Sequence, residues 1–200
     1  MKFLIGIDEA GRGPLAGPVA VGAVVVLKGF DWKRIAGVRD SKQLSAKARE
    51  EWYGRLRALK REAALDFTVS CTSAAIIDRR GIVFAIRRAL SRCLARLDAA
   101  PHSCEILLDG NLYAPARFFA QRTIIRGDES EPLIALASIA AKVTRDRLMQ
   151  RLSARYPGYA LEVHKGYGTL AHRRAIALSG LSEIHRASFC RALHSSPKSV

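Results

Sequence analysis

The chain has 200 residues, 49% of them hydrophobic, which suits one sizeable core and fits two poorly. Thirty-three Lys and Arg against 18 Asp and Glu give a formal charge of +15, an excess that attracts polyanions and makes nucleic acid the leading partner class. No apolar run approaches the roughly 20 residues needed to span a bilayer, so no membrane span is expected.

The N-terminus starts as a signal peptide would, but meets Asp8 and Glu9 before an apolar stretch can form. Apolar, β-branched runs at 2–8 and 18–27 read as two strands joined by a tight glycine- and proline-rich connection. The second run is nearly continuous rather than alternating, which predicts burial on both faces. Residues 45–60 read as a helix capped by Ser45, with Trp52, Leu56 and Leu59 on one side. A third strand follows at 66–71, then a short helical piece at 73–80 that stops at Gly81. A clearer amphipathic helix covers 82–97, with its apolar stripe inward and its arginines outward. A strand at 105–109 ends in Asp109, and another at 122–125 leads to Arg126-Gly127-Asp128. A long helix spans 132–156, and a tail from about 159 holds a Lys-Gly-Tyr-Gly loop and a helix near 170–178, fraying from about 195. The order implies an antiparallel three-stranded start joined to later strands by helical crossovers. Cys71, Cys93, Cys104 and Cys190 show no paired spacing and read as small buried hydrophobes, in keeping with a reducing, cytoplasmic setting.

Three segments carry an acid at or just past an apolar strand: Asp8-Glu9, Asp109 and Asp128. If those strands share a sheet, four carboxylates meet, and their repulsion is relieved by a divalent cation with oxygen ligands, Mg²⁺ or Mn²⁺. Side chains alternate along a strand, so Asp8 and Glu9 share a site only if the pleat ends between them. The plainer reading is that such acids cap turns and face solvent. The histidines lack the H-E-x-x-H arrangement, and no G-x-S-x-G elbow is present. Gly11-Arg12-Gly13-Pro14-Leu15-Ala16-Gly17 has the wrong spacing for a dinucleotide loop, and a strand follows it where that loop needs a helix. Its glycines would let backbone amides approach a phosphate or sugar hydroxyl.

The stretch Gly6-Ile7-Asp8-Glu9-Ala10-Gly11-Arg12-Gly13-Pro14 closely resembles the signature of bacterial ribonuclease HII. The likeness continues in order at Asp40-Ser41-Lys42, Leu108-Asp109-Gly110-Asn111, Arg126-Gly127-Asp128, the stretch from Ala137 to Asp146, His164-Lys165-Gly166-Tyr167-Gly168-Thr169 and His185-Arg186-Ala187-Ser188-Phe189. The resemblance implies an α/β, RNase H-like fold: a mixed sheet of three antiparallel and two parallel strands flanked by helices, with a small helical C-terminal segment, all in one domain. It implies an endonuclease that cuts on the 5′ side of ribonucleotides in RNA–DNA hybrids and in duplex DNA, leaving a 3′-hydroxyl and a 5′-phosphate, with two Mn²⁺ or Mg²⁺ ions. By that likeness Asp8, Glu9, Asp109 and Asp128 bind metal, and Gly11, Arg12 and Gly13 read the 2′-hydroxyl. Tyr167 stacks near the following sugar, and Lys42, Lys142 and Arg145 are candidate phosphate contacts. His185, Arg186 and Ser188 are expected to tie the C-terminal segment to the body. A monomer is expected, and docking of a sliding clamp on the tail is left open.

The likeness has departures. About one helical turn is missing near Gly81, Gln43 replaces a common lysine and Gly168 a common proline. The last two changes imply a weaker grip on DNA or a looser Tyr167 loop. No extra domain precedes the signature, an expectation that separates the chain from ribonuclease HIII. Two other classes fit less of the sequence. A non-catalytic nucleic-acid binder leaves the acids without a purpose, and a small-molecule phosphatase needs no such basic surface.

Overall fold

Five strands form the sheet that the spacing predicts: β1 (Phe3–Ala10), β2 (Val19–Leu27), β3 (Asp66–Thr72), β4 (Cys104–Asp109) and β5 (Gln121–Ile124). The computed structural model describes residues 1–38, 41 and 43–194. The strand order is β3-β2-β1-β4-β5, with β1, β2 and β3 antiparallel and β4 and β5 parallel to β1. Central β1 is therefore the strand on which both halves of the sheet register.

Helices cover both faces. Alternation along β1 sends Ile5 and Ile7 to one side, where they pack with Ala89, Leu90 and Cys93 of α3 (Ile82–Arg96) and with Ile106 and Leu108 of β4. On the other side Val24 and Val26 of β2 meet Leu56 and Leu59 of α1 (Ala46–Arg61) and Leu133, Leu136 and Ala137 of α5 (Pro132–Arg155). Strand β2 is thus buried on both faces, as its unbroken apolar run requires. Ser45 caps α1 by accepting from the Ala48 N–H, whereas Trp52 is only partly buried. Helix α2 (Ala74–Arg80) stops at Gly81, whose φ of +83° suits glycine, and α3 starts directly after it.

The approach of α5 to the sheet is unusually close. A Cβ on Gly22 would lie 2.2 Å from the Ala137 carbonyl oxygen, and one on Gly6 would lie 2.4 Å from the Leu133 carbonyl carbon. Only hydrogen at both positions lets the helix backbone rest on β1 and β2.

The C-terminal segment adds α6 (Leu161–His164), α7 (Leu170–Ser179) and α8 (Ala187–His194). It builds its own small core from Ala16, Met149, Tyr159, Leu161 and Ile176, which fastens it to the end of α5 and to the glycine-rich loop. Helices α4 (Gly127–Ser130), α6 and α8 were not among the predicted elements, because one or two turns are too short for a periodic signal. Of the cysteines, Cys93, Cys104 and Cys190 are buried and Cys71 is partly so, all as free thiols. Among the described residues no helix is long and apolar enough to cross a membrane.

A Gly22→Ala protein should lose about 1–3 kcal/mol or more of stability, because backbone cannot yield as a side chain would. Gly54→Ala, in open space within α1, should instead gain up to about 1 kcal/mol. Urea unfolding of the two variants checks the contrast.

Candidate active site

The alternation that buries Ile5 and Ile7 against α3 turns Asp8 toward α5, where its carboxylate accepts a hydrogen bond from Ser138. Strands β1 and β4 pair in parallel up to Ile7 and Leu108, so Asp8 and Asp109 are the next residues on neighbouring strands. Asp128 follows β5 in the single turn of α4, not at a strand end, and its backbone N–H points at Asp109 Oδ1 from 3.4 Å. Gly127 permits that approach, since a Cβ there would meet Ile134 at 2.6 Å and the Asp109 carboxylate at 3.5 Å.

The pleat does not end between Asp8 and Glu9, which corrects the condition set for their sharing a site. Strand β1 continues to Ala10, with Glu9 opposite Val21 and Ala10 opposite Ala20. Both acids nevertheless line one cavity, because β4 stops pairing at Ile7 and leaves that flank of β1 open. The cavity measures about 240 Å³ and is lined by Asp8, Glu9, Gly11, Arg12, Gly13, Asp109, Lys142 and Tyr167, together with Ser41 and Ser138. Asp128 is buried and does not line it.

Burial, the negative charge of Glu9 and that of Asp109 push the Asp8 carboxyl well above the usual range, against the hydrogen bond from Ser138. Glu9 is drawn aside by Arg12, 3.2 Å away, while the Glu9 N–H donates to Asp8 Oδ1 at 2.7 Å. Among the described residues no three His, Cys, Asp or Glu side chains are gathered closely enough to hold an ion as they stand. Like charges keep apart unless a cation lies between them, and an oxygen-only donor set containing a buried carboxyl whose ionisation its acidic neighbours oppose fits a hard divalent ion, which would favour the ionised form.

The glycine-rich loop beside the acids is shaped from behind by two buried guanidinium groups. Arg145 donates to the carbonyls of Pro18 (2.9 Å) and Ala16 (3.2 Å), and Arg186 to those of Gly11 (2.7 Å), Arg12 (2.9 Å) and Gly17 (3.0 Å). Gly11 has φ +86°, and a Cβ there would lie 2.0 Å from Arg145 Nε, so glycine is needed twice over. Both arginines are 0% exposed. Arg145 is therefore corrected from a phosphate contact to a support of the loop, because its guanidinium never reaches the surface. Lys142 does line the cavity, 2.9 Å from Asp146 and 5.8 Å from the centre of the Tyr167 ring. Lys42 lies outside the described residues. Arg12 and Tyr167 are exposed at the rim.

Behind Tyr167 three histidines form a buried relay. Gly166 N–H donates to His164 Nδ1 and Ser182 N–H to His185 Nδ1. His185 Nε2–H must then donate to His172 Nε2 (3.1 Å), and His172 Nδ1–H to the Tyr167 carbonyl (2.9 Å). Every ring is neutral in this pattern. Burial, with the adjoining His164 and His185, pushes His172 down to about 4, and burial lowers His185 as well.

Sequence reasoning passed over Ser41 and Ser138, whose hydroxyls meet at 2.7 Å on the cavity wall. The signal for Ser138 was present: a lone hydroxyl in the alanine-rich, fully buried part of α5.

A family model, Ribonuclease HII, matches residues 5–192 of this chain. The chain belongs to the ribonuclease HII family. The ribonuclease HII of Synechococcus elongatus is 44% identical over 193 residues, covering 96% of this chain and 87% of that protein. A ribonuclease HII from Archaeoglobus fulgidus, solved as a PCNA:RNase HII complex, superposes with a TM-score of 0.72 at 26% identity, covering 92% of this chain and 93% of that one. Bst-RNase HIII, solved in complex with Mn²⁺, shares the fold at a TM-score of 0.63 and 21% identity, over 90% of this chain and 63% of that one. Ribonucleases HII are ribonuclease H nucleases that cleave RNA in RNA–DNA hybrids, and the mixed sheet described above is the RNase H-like fold.

Two tests follow from the charges at this ribonuclease HII site. Asp8→Asn keeps the shape and the serine bond but removes one of three crowded negative charges. Its metal-free melting temperature should rise, by about 2–4 °C for each kcal/mol relieved, while cleavage is lost. The histidine relay predicts an acid limit. Unfolded, His172 takes up a proton near pH 6.5 that it refuses in the folded chain until about pH 4, so stability present above pH 6.5 is lost as pH falls through that window. Melting temperatures from pH 7.5 to 5 should show a shallower slope for His172→Gln than for the unmodified protein.

Proposed function

We propose that this chain hydrolyses the phosphodiester on the 5′ side of a ribonucleotide, both in RNA–DNA hybrids and in duplex DNA holding a single ribonucleotide. The products are a 3′-hydroxyl and a 5′-phosphate, and the catalyst is a pair of Mg²⁺ or Mn²⁺ ions. The observation that carries this reading is the shared cavity, in which the carboxylates of Asp8, Glu9 and Asp109 and the Gly11-Arg12-Gly13 loop line the same 240 Å³. A group bound by the loop is thereby adjacent to whatever the acids hold.

The roles divide by chemistry. Asp8, Glu9 and Asp109, with Asp128 beside Asp109, would hold the ions, and a divalent pair at such a site supplies an activated water and neutralises charge on the leaving oxygen. Ser138 keeps the Asp8 carboxylate aimed into the cavity. Backbone amides of Arg12 and Gly13 donate to the 2′-hydroxyl, the group that DNA lacks. The Tyr167 ring, 42% exposed at the rim, stacks on the next sugar and favours a junction from RNA into DNA. Arg12 and Lys142 meet the phosphates, with Lys42 assigned to the same task by its motif. The protein acts as a cytoplasmic monomer in removing ribonucleotides from DNA. The clamp complex of the Archaeoglobus relative supports a sliding clamp as a candidate partner.

A duplex carrying one ribonucleotide, incubated with Mg²⁺, Mn²⁺ or EDTA, tests the reading. Incision only with metal, and only beside the ribose, is expected. Binding without cutting would instead make the chain a non-catalytic module. Asp109→Asn should lose cleavage by a factor on the order of 10² or more while keeping duplex binding. Affinity should fall steeply with salt, with a logarithmic slope of about −0.9 per neutralised phosphate.

A further inference from the structure

Arg186 lies 175 residues from the loop it holds, yet it makes three side-chain hydrogen bonds there, to the carbonyls of Gly11, Arg12 and Gly17. Its backbone N–H adds a fourth, to the Leu15 carbonyl at 2.7 Å. In a planar trans peptide the C=O and the following N–H point in opposite directions. Pinning the Gly11 and Arg12 carbonyls inward therefore turns the Arg12 and Gly13 amides outward, on the side of the loop away from Arg186. Among the described residues neither amide donates to a protein acceptor. A cation bonded to the carbonyl of a peptide also polarises its N–H and strengthens it as a donor.

What holds Arg186 is equally specific. Helix α8 begins at the next residue, and its first two backbone amides, Ala187 (2.8 Å) and Ser188 (3.0 Å), both donate to the Asp78 carboxylate, as does the Ser188 hydroxyl. Asp78 belongs to α2 (Ala74–Arg80), which stops at Gly81. Burial opposes ionisation of Asp78, but the bonds from Ser188 and Ala187 overcome it and hold the carboxyl below its usual range. The charged carboxylate is thus the form the clasp requires.

We propose that Arg186 is the positioning residue for ribose discrimination, and that the Asp78–Ser188 clasp at the far end of the chain sets it in place. The inference rests on the reading of Gly11-Arg12-Gly13 as the ribose-sensing loop, and extends it to a support far from the acids. Arg186 touches no substrate; it aims and polarises the two amides that do. A lysine cannot replace it, because one ammonium cannot span the three carbonyls in a fixed fork.

The test compares binding, in an Asp109→Asn background, to two duplexes that differ only in one ribonucleotide against the matching deoxynucleotide. The background protein should prefer the ribose duplex. Arg186→Lys should reduce that preference on the order of tenfold while leaving the salt slope of binding unchanged, since Arg186 is buried away from phosphates. Asp78→Asn, and Ser188→Ala with it, should reduce the preference by a smaller factor in the same direction. Should Arg186→Lys fail to fold by circular dichroism, the two clasp variants decide. An unchanged ratio in the folded variants, or an equal loss of affinity for both duplexes, would overturn the proposal by making Arg186 merely structural. If the background protein shows no preference for ribose, the sensor reading itself fails, and this inference with it.

Discussion

The structure depends on one close contact, the backbone of α5 lying directly on β1 and β2 across Gly6 and Gly22. No side chain larger than hydrogen is tolerated at either position, so the separation between helix and sheet is set by backbone against backbone. That makes the separation stiff, because peptide groups have no rotamers through which to yield. Ser138 reaches Asp8 because of this contact, and the small residues around it, Ala135, Ala137, Ala140 and Ala141, keep the rest of the interface equally tight.

The second constraint is electrostatic, and it resolves the apparent contradiction of adjacent acids in a chain of charge +15. Asp8 is buried beside Glu9 and Asp109, an arrangement that costs stability until a cation joins it. Behind the glycine-rich loop, Arg145 and Arg186 are buried near one another, and among the described residues neither forms an ion pair with an acid. Burial and the nearby Arg145 push Arg186 down to about 9, still above neutral pH, so the charge persists. Backbone carbonyls solvate both guanidinium groups in place of carboxylates. An acidic partner there would have competed for the donors that fix the loop. The site thus keeps its negative charge on the side of Asp8, Glu9 and Asp109 and its buried positive charge on the side that shapes the loop.

Much of this was legible in the sequence, and the parts that were not share a physical cause. Apolar runs mark the strands, helical spacing marks α1, α3 and α5, and acids following apolar runs mark Asp8 and Asp109. Local periodicity carries such features. The role of Arg145 was misread because charge on a helix is ordinarily solvated, and nothing within its own turn shows that carbonyls of residues 16 and 18 lie within reach. Arg186 was expected only to tie down the C-terminal segment, yet its bonds run to the loop beside the acids, a pairing across about the whole chain. Helix α4 escaped notice because four residues leave no period, although it is the element that carries Asp128. What stays hidden from a linear reading is long-range hydrogen bonding by side chains whose composition looks like ordinary surface.

Helix α5 also explains why acids and loop act as one site. Ser138, Lys142, Arg145 and Met149 follow one another at intervals of four, three and four residues, so they form a single stripe along one face. Ser138 bonds Asp8, Lys142 lines the cavity, Arg145 props the loop, and Met149 packs where a Cβ on Gly17 would otherwise sit, 2.3 Å from its sulfur. At 1.5 Å per residue the helix holds the acid support and the loop support about 10 Å apart along its axis. The distance from the glycine-rich loop to the carboxylates is then fixed by a rigid rod clamped to the sheet, not by the intervening loop. A glycine-rich segment that would otherwise be floppy acquires, by this support, the geometric accuracy that the proposed choice between a hydroxyl and a hydrogen demands.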